Sequence, residues 1–252
     1  MSDFLTDITD RVLTIRLNRP SKRNALTRAM YSGIAETLNA ARSDDQVRVV
    51  LLAGSPQCFS AGNDLQDATI DGLDGDHGRF MRALMSFPKP VVAAPSGIAV
   101  GVGVTMLLHC DLVYCGEQTT FRVPFVPLAV CPEFGSSWLL PRLVGHQRAS
   151  EILLAGEPFD ANAAHQFGIV NDILPNEQVD EFARAKAVFI AAQPPAAVRT
   201  TKMLLKRANS PDVLEAIAIE MEHLMMLQHG AEAGEAIAAF REKRRPDFSN
   251  FA

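Results

Sequence analysis

The stretch that most limits what this chain can fold into begins at Pro90. Four apolar residues, Val91–Ala94, sit between prolines, and Gly97, Gly101 and Gly103 come within the next nine positions. A short apolar run bounded by turn signals suits a fully buried strand. The glycines remove side chains where the backbone turns, and they let another group approach the main chain closely. From Gly103 the spacing becomes helical, with Met106, Leu107 and Cys110 on one face. A glycine turn that opens a helix leaves N–H groups unpaired and aims a positive dipole end at one point. Such a point suits an anionic oxygen. Further on, Glu133 is the one acid in an otherwise apolar segment, alone between Glu117 and Glu151.

Another glycine turn stands earlier in the chain. Cys58-Phe59-Ser60-Ala61-Gly62-Asn63-Asp64-Leu65 comes after the apolar run 47–53, which reads as another buried strand. Taken alone, this is an ordinary strand-to-loop turn with Asp64 capping the next segment. Two such turns, each after a buried strand, together with one isolated acid, point instead to a site.

Elsewhere the pattern alternates strand and helix. Phe4–Thr9 and Val12–Leu17 read as a hairpin joined at Asp10-Arg11. Thr27 can cap a helix to about Arg42, with Met30, Ile34, Leu38 and Ala41 on one stripe. Residues 70–78, rich in Asp and Gly, read as a mobile surface loop before a helix over 78–87. Short strands are expected at 111–115, 120–122 and 169–173, and helices at 147–155 and 161–167. From Val179 the chain is helical: 179–192, 195–207, 211–228 and 231–243. In the tail, Leu214, Ile217, Met221, Leu224 and Gln228 keep helical spacing, as a core face or a subunit contact. This is an α/β layered arrangement with a helical tail, divided here as a core over 1–192 and a helical region over 193–252.

Composition removes several functions. A formal net charge of −5, with no dense basic patch except Arg241–Arg245 near the end, argues against nucleic acid. The cysteines, Cys58, Cys110, Cys115 and Cys131, lack metal-type pairing and read as buried free thiols of a reducing compartment. No stretch has signal-peptide or membrane-spanning character, so a cytoplasmic location is expected. A dinucleotide fingerprint would need a glycine where Met106 stands. His109 lies among apolar helix residues and reads as structural. Thr105 and Ser137 lack a neighbouring base.

The motifs Phe-Ser-Ala-Gly-Asn-Asp-Leu (59–65), Gly-Ile-Ala-Val-Gly-Val-Gly-Val-Thr (97–105) and Ala-x-x-x-Gly-Ile-Val (164–170) resemble the crotonase superfamily, the enoyl-CoA hydratase/isomerase group. The resemblance runs in order through nearly the whole chain. It implies a spiral of ββα units, a C-terminal helical trimerisation region giving a homotrimer or hexamer, and an acyl-CoA substrate. It also implies two main-chain N–H donors for the thioester oxygen, at Ala61 and Val102, with residues 61–65 (Ala61, Gly62, Asn63, Asp64, Leu65) lining the substrate. Lys22 and Arg23 would meet the CoA phosphates, although two solvated loop charges would look the same. No metal or cofactor is implied, because coenzyme A enters with the substrate.

Hydratases of this group carry two glutamates, at positions matched here by Thr105 and Phe125. Instead, Cys-Pro-Glu-Phe-Gly-Ser-Ser (131–137) is similar to the peroxisomal-type enoyl-CoA isomerases, whose single acid falls on Glu133. One carboxylate can take a proton at C2 of a 3-enoyl-CoA and return it at C4. Apolar neighbours such as Val130, Phe134 and Trp138 would raise its pKa toward neutrality. Alternative readings are another acyl-CoA reaction on the same scaffold, including hydration, and a non-enzymatic acyl-CoA- or RNA-binding protein.

Overall fold

The computed structural model describes residues 2–67 and 70–251. The chain opens with the antiparallel hairpin β1 (Phe4–Thr9) and β2 (Val12–Leu17). Its two turn residues, Asp10 and Arg11, both have positive φ (53° and 62°), the geometry that matches the strands' natural twist. Helix α1 (Arg28–Ser43) starts where the Thr27 hydroxyl accepts the Met30 N–H at 3.2 Å. Then come β3 (Val49–Ala53), α2 (Asp76–Met85), β4 (Val91–Ala94), β5 (Ile98–Val100) and α3 (Val102–Thr105), which tightens into a 3-10 turn over Met106–His109. Next are β6 (Leu112–Gly116), β7 (Thr120–Arg122), α4 (Ser136–Val144) and α5 (His146–Ser150), the last running into a π turn. β8 (Phe159–Asp160), α6 (Ala161–Gln166), β9 (Asp172–Leu174) and α7 (Val179–Ala191) complete the layers. α8 (Pro195–Lys206), α9 (Ser210–Leu227) and α10 (Ala231–Glu242) form the helical tail.

The strands make two sheets, one in the order β1-β2-β3-β4-β6-β9 and one in the order β5-β7-β8. β2 through β9 of the larger sheet run parallel. Each turn of the chain lays one strand in the large sheet and the next in the small one, as β4 then β5 and β6 then β7. An isolated bridge between Ser60 and Ala99 joins the first glycine turn to β5 by the same rule. This is a spiral of ββα units. The strand β5 was not expected from sequence: three residues between two glycines are too short to show a period. The expected strand at 169–173 begins only at Asp172, while Ile169 and Val170 are buried outside it.

One face of the large sheet packs against α1 and α2 around Leu13, Ile15, Val50 and Leu52. On the other face Val179, Ala183, Ala187 and Ala191 of α7 meet Val12, Val49, Leu51 and Val92. Of the expected tail stripe, Ile217, Met221 and Leu224 of α9 join the first core within the chain, with Val213 beside them, whereas Leu214 is exposed. The tail is also tied by charge. Lys202 Nζ donates to Asp111 (2.6 Å) and to the Lys89 carbonyl (2.7 Å). Lys89 Nζ in turn donates to the carbonyls of Ala41, Asp44 and Val47, around the end of α1. These bonds satisfy an otherwise costly buried charge.

Residues 70–75 are anchored rather than free. The Gln228 side-chain amide accepts from Ile70 N and donates to Ile70 O, both at 2.9 Å. α2 begins at Asp76, two residues before the expected start, because Asp76 N donates to Asp71 and Arg28 bridges both aspartates. Among the described residues no helix is long and apolar enough to cross a membrane. All four cysteines are free.

Candidate active site

The two glycine turns meet side by side. Phe59 N and Ser60 N both donate to Ile98 O, and Val100 N donates to Ser60 O at 2.9 Å. Glycine is required where they touch: a Cβ on Gly62 (φ +89°) would stand 2.9 Å from Val100 O. One on Gly103 would stand 2.9 Å from Ser60 O.

Backbone pairing on these turns decides which N–H groups remain. Gly101 N donates to Arg122 O. Val102, the first residue of α3, is fully buried, and its N–H carries no partner among the described residues. That is the expected donor. On the other turn, Ala61 N donates to Arg23 O at 2.9 Å, so the donor role expected for Ala61 is not available. The residue two further on takes its place. Gly62 O and Asp64 N pair with Leu26 on either side of Asn63, and the Asn63 N–H points the other way without a partner among the described residues. Distant carbonyls are the cause: Arg23 takes the Ala61 N–H and Leu26 takes the Asp64 N–H, so the free donor cannot be read from motif position alone.

Glu133 is 2% exposed, and its Oε1 is buried without a hydrogen-bond partner. Burial pushes its pKa up to about 8; the charge of Glu220 adds to this, and a hydrogen bond from the Asn63 side chain opposes it. Asn63 therefore lies near both halves of the site: its main-chain N–H has no partner among the described residues, and its side chain lowers the proton affinity of Glu133. The Asn63 Oδ1 accepts from the Tyr31 hydroxyl.

The segment carrying Glu133 is held from two sides. Phe134 (φ +60°) and Gly135 (φ +71°) both adopt left-handed backbone. His109 stacks on Phe134, ring centres 4.0 Å apart, and its Nε2 donates to the Phe134 carbonyl at 2.7 Å. Burial lowers the His109 pKa to about 3, so the ring is neutral and structural, as its neighbours in sequence implied. Phe80 packs edge-on against the other side of Phe134 at 5.7 Å. Trp138, also expected near Glu133, is half-buried against the core and carries the Arg142 guanidinium over its ring at 3.6 Å.

Glu220 is the site residue that the sequence motifs did not reveal. From α9 it accepts from Gly135 N (2.6 Å), Ser137 N (2.8 Å) and Ser137 Oγ (2.5 Å). It thus occupies the start of α4, the place a helix dipole offers to a carboxylate. Glu133 supplies only its main-chain carbonyl there, to Ser136. The available signal was that Glu220 lies three positions after Ile217 and four before Leu224, on the apolar stripe.

Of the other expected residues, Asp64 is drawn away from the centre. Burial would raise its pKa, but the Gln66 N–H and the Arg19 guanidinium, 3.0 Å away, hold it low. Leu65 is half-buried, and Lys22 and Arg23 are exposed on the preceding loop. Thr105 is fully buried with an unpartnered hydroxyl, and Phe125 is buried too, so no carboxylate stands at either of these positions.

A family model described as "Enoyl-CoA hydratase/isomerase" matches residues 7–250. The 2,3-dehydroadipyl-CoA hydratase of Escherichia coli (strain K12) is 33% identical over 252 residues, 98% of this chain and 99% of that protein. Enoyl-CoA delta isomerase 2 of Rattus norvegicus is 34% identical over 215 residues, 82% of this chain and 54% of that protein. The crystal structure of an enoyl-CoA hydratase/isomerase from Pseudoalteromonas atlantica T6c matches with a TM-score of 0.94 at 36% identity, covering 98% of this chain and all (100%) of that one.

Proposed function

The chain belongs to the enoyl-CoA hydratase/isomerase family, and on that premise we propose that it moves the double bond of a 3-enoyl-CoA to the 2-position. The observation that carries this reading is the buried carboxylate of Glu133, with Oε1 unpaired, beside Asn63, whose main-chain N–H has no partner among the described residues; the other buried carboxylate nearby, Glu220, is taken up by Gly135 and Ser137. The thioester oxygen would lie between the N–H groups of Asn63 and Val102. Glu133 takes the C2 proton, and the charge moves onto that oxygen as an enolate. The same carboxyl group then returns the proton at C4. Donors aimed at the developing charge are typically worth roughly 100- to 1000-fold each. A carboxylate with a pKa near neutrality is suited to both taking and giving the proton.

Hydration, the activity named for the Escherichia coli relative, is the alternative. It uses a pair of carboxylates in the family pattern, and Thr105 and Phe125 stand at those positions here. The name of the rat relative agrees with the double-bond shift. Lys22 and Arg23 are exposed on the loop beside the first glycine turn, where they could pair with the CoA phosphates.

The test is incubation with 3-hexenoyl-CoA and, separately, with crotonyl-CoA. Rising absorbance of the conjugated product from the first, and little loss of conjugation from the second, is expected. Rapid loss of crotonyl-CoA absorbance with no turnover of 3-hexenoyl-CoA would refute the reading.

A further inference from the structure

Asn24 lies on the loop between β2 and α1, fully buried, with both polar atoms of its side chain bound. Oδ1 accepts from Arg19 N at 2.8 Å, and Nδ2 donates to the carbonyls of Cys58 (2.8 Å) and Phe59 (3.3 Å). Its main-chain carbonyl accepts from the Ser60 hydroxyl at 2.9 Å, and that hydroxyl accepts from Gly62 N at 3.2 Å. No step of the double-bond shift touches this residue. We propose that Asn24 is a positioning residue for the donor at Asn63: it fastens the first glycine turn to the loop before α1, so that the Gly62–Asn63 peptide keeps its N–H turned toward the thioester oxygen. The proposal rests on the Asn63 N–H being a donor to that oxygen.

A trans peptide is planar, so its carbonyl and its N–H point in opposite directions. Gly62 O and Asn63 N belong to one such unit, and Gly62 O accepts from Leu26 N at 2.8 Å. Holding that carbonyl aims the Asn63 N–H away from Leu26. One hydrogen bond still lets the unit rock, and Gly62 is a permissive link with φ +89°. The turn therefore needs bonds on both sides to keep one shape. Asp64 N is tied to Leu26 O on the following side, and Ala61 N to Arg23 O on the preceding side, each at 2.9 Å. Asn24 fixes what comes before them, at Cys58, Phe59 and Ser60.

The loop is shaped for this. Arg23 and Asn24 both adopt left-handed backbone, with φ +50° and +54°. Asparagine accepts that conformation more readily than most residues. The two successive carbonyls then both meet the glycine turn, one taking Ala61 N and the other Ser60 Oγ. Asn24 N donates to Arg19 O at 2.9 Å, so Arg19 and Asn24 close the loop across its base. A buried asparagine with all its partners is ordinarily a packing element. What sets this one apart is where its bonds end: on residues 58–60, just before the peptide that carries the donor.

The experiment compares the parent with Asn24→Gly and Ser60→Ala. Glycine keeps the left-handed backbone and the carbonyl of residue 24 and deletes only the amide. Alanine deletes the hydroxyl between Asn24 O and Gly62 N. Circular dichroism checks that each is folded, and Ser60→Ala carries the test if Asn24→Gly is not. Hexanoyl-CoA, isotope-labelled at the thioester carbonyl, has no double bond to move, and the infrared stretch of that carbonyl reads how strongly the donors polarise it. The stretch should fall on binding to the parent and stay nearer its free value in the variants. With 3-hexenoyl-CoA, kcat should fall by about 10- to 100-fold, less than the roughly 100- to 1000-fold of a donor removed outright. KM should stay within about threefold, because Lys22 N and Asn24 N still donate to Arg19 O. A parent-like stretch in the folded variants overturns the proposal even where the melting temperature falls, since a purely structural role would lower that too. A parent that leaves the bound carbonyl at its free frequency overturns it as well. If the parent does not turn over 3-hexenoyl-CoA, yet its bound carbonyl shifts and the variants reverse the shift, the isomerase reading fails and the positioning role stands.

Discussion

Replacing Glu133 by glutamine keeps the shape of the side chain and removes its charge and basicity. The structure gives this change two consequences of opposite sign. The first is on turnover: the amide cannot accept the C2 proton at neutral pH, and one group serves both transfers. Isomerisation of 3-hexenoyl-CoA should fall by on the order of 1000-fold or more, beyond the middle of the usual range for general acid–base catalysis. The second is on stability. The Glu133 pKa rises from 4.5 unfolded to about 8 folded, so folding takes up a proton between those values. Below the unfolded pKa the group has no effect. As pH rises through the window, the folded state loses roughly 1.4 kcal/mol per unit, on the order of 3 kcal/mol by neutral pH, and the loss levels off above the folded pKa. Glutamine removes that loss. The variant should therefore melt higher than the parent at about pH 8 and about the same at about pH 4, while still binding acyl-CoA. If Glu133 were instead the charge at the start of α4, its removal would cost about 0.3–1 kcal/mol and leave turnover nearly intact. Glu220 already holds those N–H groups, which argues against that role. Turnover within about tenfold of the parent, read by conjugation absorbance, would refute the proton-carrier assignment. A lower melting point for the variant on the alkaline side would refute the stability argument separately.

Val102→Ala keeps the main-chain donor and should retain activity within a small factor, whereas Val102→Pro removes it and should cost far more; equal activity of two folded variants, checked by circular dichroism, would rule out the donor role. Glu220→Gln weakens three bonds at the start of α4 and should cost about 1–3 kcal/mol of stability in chemical denaturation. The same change removes the repulsion that raises the Glu133 pKa, so the pH at which kcat is half-maximal should fall. Self-association as a homotrimer or a dimer of trimers is expected from the family resemblance, and the tail presents Leu205 and Met226 at 75% and 64% exposure. Light scattering that finds a stable monomer at micromolar concentration would remove that expectation.

Local chemistry in the sequence was enough for the hairpin at Asp10-Arg11, for α1 with its Thr27 cap and for the helices of the tail. Each is governed by contacts between residues a few positions apart, and most of their bounds fall within a residue or two of the expected ones. The same holds for Glu133, because an isolated acid in an apolar segment is visible without a fold. The alternation of strands and helices carried the layered class, and the motifs carried the spiral. Pairings between distant segments could not be read in this way. The free donor on the first turn is Asn63 rather than Ala61, because a carbonyl thirty-eight residues earlier, on Arg23, takes the Ala61 N–H. The strand β5 exists because Ser60 and Thr120 flank it, not because three residues prefer extension. Glu220 reaches the start of α4 across more than eighty positions, and in taking that place it leaves Glu133 unpaired and its pKa high. Burial, repulsion and the exhaustion of hydrogen-bond partners depend on what the whole chain brings into one small volume, so those properties of the site appear only in the tertiary structure.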